Sequence, residues 1–247
     1  MNILVSIDDT DNLESRGTGE LASLLAEQIS QNGWGRSDFV TRHQLLVHPD
    51  IPYTSHNSAM CFTAVLEDYP LRKFIDHATR FLEYESAPGS DPGLCVALPA
   101  LLVEEKPLIC FGQSAKQEVL GKEAAYSLAR ELGVHLSEHG GSGQGVVGAL
   151  AGAGLRLGGN DGRLRGKLEV GPAGAAVRVS VLRSHPWVEE IVSLSGEVPP
   201  DRDLVRLDDK VKTVLLGGRS MLLVERVDEQ EGGVSWRTCS RRTLKDY

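Results

Sequence analysis

Paired cysteines are missing from this chain of 247 residues. Cys61, Cys95, Cys110 and Cys239 stand far apart, and none forms Cys-x-x-Cys. A zinc ribbon and a redox dithiol are thereby excluded. Cys61, Cys95 and Cys110 lie in apolar stretches, where buried reduced thiols are expected. Long hydrophobic runs are missing too, so no segment is long enough to span a bilayer. No basic region precedes the opening apolar residues, and the expectation is a cytoplasmic protein without a signal peptide. Basic residues are in deficit: 26 Lys and Arg stand against 34 Asp and Glu, a formal net charge of -8. Such a surface repels nucleic acid phosphates, so an RNA partner would need a local basic patch or a second protein.

Internal repeats and low-complexity tracts are also absent. What remains is ordinary globular composition, 41% hydrophobic and 24% charged, in a chain long enough for one large domain or two small ones. Asn2 to Ile7 is a near-continuous apolar run, the pattern of a strand covered on both faces. Leu21, Leu24, Leu25 and Ile29 recur at helical spacing. Residues 39–47 and 59–66 read as strands, 71–82 as a strongly amphipathic helix, and 94–98 as a strand. This order, strand-helix-strand-strand-helix-strand, predicts an α+β fold with an N-terminal ferredoxin-like, split βαβ domain. Residues 116–132 read as a helix broken near Gly121, and 146–155 as an added apolar helix. Gly158-Gly159-Asn160-Asp161-Gly162 is a turn signal that places a boundary between residues 1–157 and 158–247. Beyond it, residues 164–170, 175–182, 211–216 and 221–227 read as strands of a smaller β-rich domain.

The sharpest local feature is Asp8-Asp9-Thr10-Asp11. Neighbouring strand residues point to opposite faces, so Asp8 and Asp9 converge only where the chain turns. Crowded carboxylates need a cation or hydrogen-bond donors, and hard oxygen ligands suit magnesium shared with a phosphate. A solvated acidic loop is the plainer alternative. Gly17-Thr18-Gly19 then opens a helix, where backbone amides and the helix dipole favour an anion. Thr18 as an ordinary helix cap is equally open there. Gly140 to Gly145 repeats the arrangement before another helix: Ser142 and Gln144 are candidate donors to phosphate or base, and His139 a proton carrier or charge partner. No Lys-Ser or Lys-Thr follows, so this is not a Walker A loop. A flexible interhelical turn is the other reading. Residues 42–59 form a polar loop with two prolines, in which His56 and Asn57 stand out. His43, His48 and His56 share no zinc spacing.

Ile7-Asp8-Asp9-Thr10-Asp11 followed by a glycine turn and helix resembles agmatidine synthetase, the archaeal enzyme that modifies the anticodon cytidine of an isoleucine tRNA. Residues His48-Pro49-Asp50-Ile51-Pro52-Tyr53-Thr54, with Asn57 and Ala59, are similar to that family's proline loop. Gly143-Gln144-Gly145-Val146-Val147-Gly148-Ala149-Leu150 resembles its glycine-rich element. The three stand in the family's order and cover about residues 2–157. The resemblance implies a kinase-like catalytic domain that uses ATP to activate cytidine C2, which agmatine then displaces. It implies Asp8 and Asp9 as magnesium ligands supported by Asp11, and a nucleotide or acceptor pocket lined by residues 56–59 and 143–145. The chain departs from the family at Glu20, where the family has a threonine implicated in phosphate handling. It departs again at Tyr53, where the family has a lysine, at Ser55 and His56, where it has Arg-Gly, and in lacking the zinc ribbon.

The expected function is ATP- and Mg-dependent phosphoryl-transfer or ligase-type chemistry on a small-molecule or nucleotide acceptor. A homodimer is compatible with it. A non-catalytic nucleotide-binding regulatory module is the first alternative. An aspartate-based phosphohydrolase built on Asp9-Thr10-Asp11 is the second.

Overall fold

A computed structural model describes residues 1–51, 57–227 and 233–247. The chain divides into two compact units, Met1–Gly158 and Gly159–Tyr247, and both mix strands with helices.

The first unit is built around β1 (Asn2–Asp8), which explains its unbroken apolar run. Ile3, Val5 and Ile7 pack with α1 (Thr18–Gln31) and α2 (Leu71–Glu85) through Leu21, Leu25, Ile29, Phe74 and Ala78. Leu4 joins a separate cluster with Leu108 of α3 (Lys106–Ser114), Ala125 of α4 (Lys122–Leu132) and Ala149 of α5 (Gly145–Gly158). Both faces of β1 are therefore covered, and alternation is lost because neither face meets water. β1 pairs antiparallel with β4 (Ser58–Leu66) on one side and β5 (Gly93–Ala97) on the other. β3 (Thr41–Gln44) and β2 (Gly35–Ser37) both pair with β4, and β6 (His135–Glu138) closes the far edge beyond β5.

The strand expected over 39–47 is only Thr41–Gln44, and β2, where no strand was expected, precedes it. Asp38 separates them: its backbone N–H donates to Thr63 O at 2.9 Å, while its carboxylate accepts from Phe39 N and from buried Arg156. The Arg156 guanidinium also lies 4.4 Å over the Phe39 ring. The helix expected over 116–132 begins only at Lys122, and α3 precedes it where none was expected.

The second unit holds β7 (Arg163–Leu164), β8 (Ala176–Arg178), α6 (Val179–Arg183), β9 (Glu190–Ser193), β10 (Leu204–Arg206), β11 (Val214–Leu216), β12 (Arg219–Arg226) and β13 (Val234–Thr238). Its strands run in the order β7-β11-β12-β13-β10-β8, with β9 beside β12. Trp236 is fully buried among Val205, Leu222 and Val224, and its indole N–H donates to Asp203 at 2.9 Å. Residues 175–182, expected to be one strand, leave the sheet after Arg178. Val179 and Leu182, three apart, then bury one side of a helical turn. Residues 164–170 contribute only Leu164, the second residue of β7, to the sheet. No helix among the described residues is long and apolar enough to cross a membrane.

Candidate functional site

Asp8 ends β1 on the face that α5 covers. A Cβ placed on Gly148, in the first turns of α5, would overlap the Asp8 carboxylate. Asp8 is 8% exposed, and loss of solvation pushes its pKa up to about 8. The Asp9 charge and then that of Asp11 add to the rise, and a hydrogen bond from the Asp9 backbone opposes it. Asp9 leaves the strand with φ +50°, a left-handed conformation uncommon for a residue with a Cβ. That turn is what frees the second aspartate from the opposite face of the sheet. Partial burial lifts the Asp9 pKa to about 6, with Asp91 and Asp11 contributing charge.

Asp91 was not visible as a site residue in the sequence. It lies in a proline- and glycine-rich loop about 80 residues from Asp9, and no spacing rule links them. The fold joins them because β5, which follows Asp91, pairs with the end of β1, Asp8 lying opposite Gly93.

Asp11 is held by Thr18, whose hydroxyl donates to it at 3.0 Å and stands 3.4 Å from the Thr10 backbone N–H as acceptor. Thr18 is therefore not the helix cap. Gly17 occupies that position in extended conformation, without a side-chain cap bond. A Cβ on Gly17 would sit 3.7 Å from Asp11 Oδ2, so the glycine turn approaches the acidic group closely. Gly19 follows, half-buried, within the first turn of α1. Thr18→Val removes both hydrogen bonds at little change in shape. It is expected to lower unfolding free energy by about 1–2 kcal/mol, measured by urea denaturation. An unchanged midpoint would contradict the bonded arrangement.

The second glycine turn is already engaged. The Ser142 backbone N–H donates to Asp91 Oδ1, and its hydroxyl donates to Asp91 Oδ2 at 2.5 Å. Ser142 is therefore not an open phosphate donor as expected; it holds a carboxylate of its own chain. Gly143 has φ +76°, and a Cβ there would overlap Glu138. Glu138 pairs with Lys122 at 2.8 Å, and Lys122 also donates to the Ser142 carbonyl at 2.9 Å. The Gln144 side chain is exposed. Gly145 starts α5, where a Cβ would meet the Asp91 carbonyl and Gly93 N. His139 Nε2 lies 2.8 Å from Ser137 Oγ, with Glu83 3.9 Å from Nδ1, and burial lowers its pKa.

Asn57 has a role in the fold: its side-chain amide donates to Leu46 O at 2.7 Å and its backbone carbonyl accepts from Leu45 N at 2.9 Å. His43 is fully buried against Thr41 at 2.7 Å. His56, with Pro52, Tyr53, Thr54 and Ser55, lies outside the described residues. Among the described residues no group of three or more His, Cys, Asp or Glu is arranged to hold a metal ion. Asp8 and Asp9 offer two carboxylates, whose pKa values are raised first by burial and then by the neighbouring aspartates. That donor set fits magnesium, which takes one or two carboxylates and completes its shell with phosphates and water.

No protein-family profile matches the chain. It is 31% identical over 167 residues to TiaS of Methanosarcina acetivorans, a 2-agmatinylcytidine synthetase for an isoleucine tRNA, and 29% identical over 167 residues to that of Methanosarcina mazei. Each match takes in 63% of this chain and 36% of the relative, so the chain spans about a third of the length of these curated relatives. The crystal structure of a TiaS complex with its tRNA and ATP is similar with TM-score 0.55 and 26% identity, over 62% of this chain and 36% of that one. A TiaS complex with the tRNA, AMPCPP and agmatine shares the fold over 87% of this chain and 52% of that one, with TM-score 0.54 and 20% identity. Both comparisons bear out the resemblance to the agmatidine synthetase catalytic core read from the motifs.

Proposed function

We propose that the first unit is the catalytic core of an ATP- and Mg-dependent ligase-type enzyme that activates an acceptor, related to tRNA-modifying agmatidine synthetase. The reading is carried by one conjunction. The likeness to an enzyme crystallised with ATP coincides with a strand-end carboxylate pair beside two glycine turns. The strand order β5-β1-β4 with β2 and β3 beyond β4, all antiparallel, supports the ferredoxin-like arrangement expected from the sequence.

In this reading Asp8 and Asp9 hold magnesium, and Asp11 is kept in place by Thr18. Backbone amides around Gly17 to Gly19 and Gly143 to Gly145 face the phosphates. The bound metal would neutralise charge on the transferring phosphoryl group. Burial of Asp8 keeps water away from one side of the site, and the turn at Asp9 fixes the second carboxylate relative to it. The acceptor is proposed, from the activity that names the relatives and from the tRNA complex, as RNA together with a small amine. The acidic surface then requires a local patch or a partner for the RNA.

Isothermal titration of ATP with magnesium tests the reading. Wild type is expected to bind, and the binding should vanish when magnesium is withheld or Asp8 is changed to Asn. Binding without any ATP turnover in the presence of tRNA and agmatine would favour the regulatory-module alternative, for which Glu20 at the family's threonine position is the supporting observation. Absence of binding by wild type would remove the proposal.

A further inference from the structure

Asp91 and the Gly140–Gly145 turn are locked together by two kinds of contact. Main-chain contacts form the fixed part: His139 N donates to Pro92 O at 2.8 Å, and Gly145 packs on the Asp91 carbonyl and Gly93 N. The Asp91 side chain forms the other part. Its two oxygens take the backbone and hydroxyl protons of Ser142, 51 residues away in sequence. Gly141, at φ +52°, has no Cβ, and one placed there would overlap Asp91 Oδ1. A carboxylate thus sits against a glycine turn with positive-φ residues, in the manner of an anion in a backbone nest.

We propose that Asp91 is the resident anion of this turn, an autoinhibitory contact that a polyphosphate must displace before the turn can bind it. The inference rests on the nucleotide-binding reading given above. Rotation of Asp91 breaks the Ser142 bonds and leaves the main-chain contacts intact, so the turn keeps its shape when the carboxylate departs. The Asp91 carboxylate already acts on Asp9 across the site. Release toward Asp9 is repulsive when the acidic group stands alone and becomes favourable when a divalent cation is present. Displacement is therefore coupled to metal: phosphate alone competes poorly with Asp91, and phosphate with magnesium competes well.

The test compares wild type, Asp91→Ala and Asp91→Asn in metal-free buffer, titrated with inorganic tripolyphosphate. Removing the resident charge is expected to tighten binding about tenfold, the scale of one charge-assisted hydrogen bond. Asp91→Asn should give a smaller gain in the same direction. Hydrogen exchange at the Ser142 amide is followed in the ligand-free proteins, with thermal melting to show that each variant is folded. Faster exchange in Asp91→Ala supports the contact, and unchanged exchange overturns the inference whatever the nucleotide result. Equal or weaker tripolyphosphate binding by Asp91→Ala, beside a wild type that binds ATP with magnesium, also overturns it. A wild type that binds neither tripolyphosphate nor ATP with magnesium overturns the nucleotide reading and this inference together, even where Ser142 exchange responds.

Discussion

Asp8→Asn is expected to stabilise the ligand-free protein at pH 8 while cutting ATP turnover at least about a hundredfold, the scale seen when one electrostatic group is removed from a reacting centre. The two effects have the same origin. Asp8 is buried beneath α5 with a pKa near 8, against 3.8 in the unfolded chain. Below about pH 4 both states carry the proton and the group contributes its full stability. Between pH 4 and pH 8 the unfolded chain gives up the proton and the folded chain retains it, so stability declines across that window. Above pH 8 the loss is complete, on the order of a few kcal/mol. Asn cannot ionise, so the variant should lose most of this decline. It should retain a shallower one between about pH 4 and pH 6 from Asp9.

Urea midpoints for both proteins at pH 5 and pH 8 in EDTA measure the difference. Magnesium should raise the pH 8 midpoint of wild type and leave the variant nearly unmoved. Parallel pH profiles for the two proteins would show that Asp8 is solvated in the folded state, and the site as described would not exist.

The acidic cluster was legible because it depends on local facts: a buried apolar run, a strand end, and carboxylates at consecutive positions. The glycine turns were legible for similar reasons, since two or more glycines directly before a periodic helix mark a turn that needs backbone freedom. Their partners were not. Ser142 faces Asp91 only because β5 and α5 are brought together at the end of β1, and no pattern within either segment records that meeting. Asn57 looked like a site residue because polar residues between strands often are. The structure commits its amide to the Leu46 carbonyl instead.

The fold shows the same division. β1, α1, α2, β4 and β5 follow from apolar periodicity. The gap between β2 and β3 holds Asp38, whose long-range partner Arg156 no local pattern records. In the second unit, β9, β10 and β13 are four, three and five residues long. Runs that short are too brief for periodicity to separate from loops. The turn into α6 similarly depends on burying Val179 and Leu182 together, a tertiary choice made against strong β-propensity.

Gly148→Ala and Gly145→Ala place the same methyl group three residues apart and should fail for different reasons. At Gly145 the new Cβ meets main-chain atoms, the Asp91 carbonyl and Gly93 N. No rotamer relieves that overlap, so α5 must lift from β5, at a cost of about 1–3 kcal/mol or more. At Gly148 the Cβ meets the carboxylate of Asp8, a side chain that is buried and can move only by giving up its place in the site. Gly148→Ala should therefore fold with reduced stability and lose magnesium-dependent ATP binding. A double-mutant cycle separates the cases. Shortening Asp8 to Ala should recover about 1–3 kcal/mol of the Gly148→Ala penalty, a coupling typical of residues in direct contact. The same shortening should recover almost nothing for Gly145→Ala, because the obstruction there is backbone. Equal coupling at both positions, read from urea unfolding of the six proteins, would mean that Asp8 does not lie beneath the first turns of α5. The placement of the carboxylate against the helix, on which its raised pKa and its proposed metal role both depend, would then have to be abandoned.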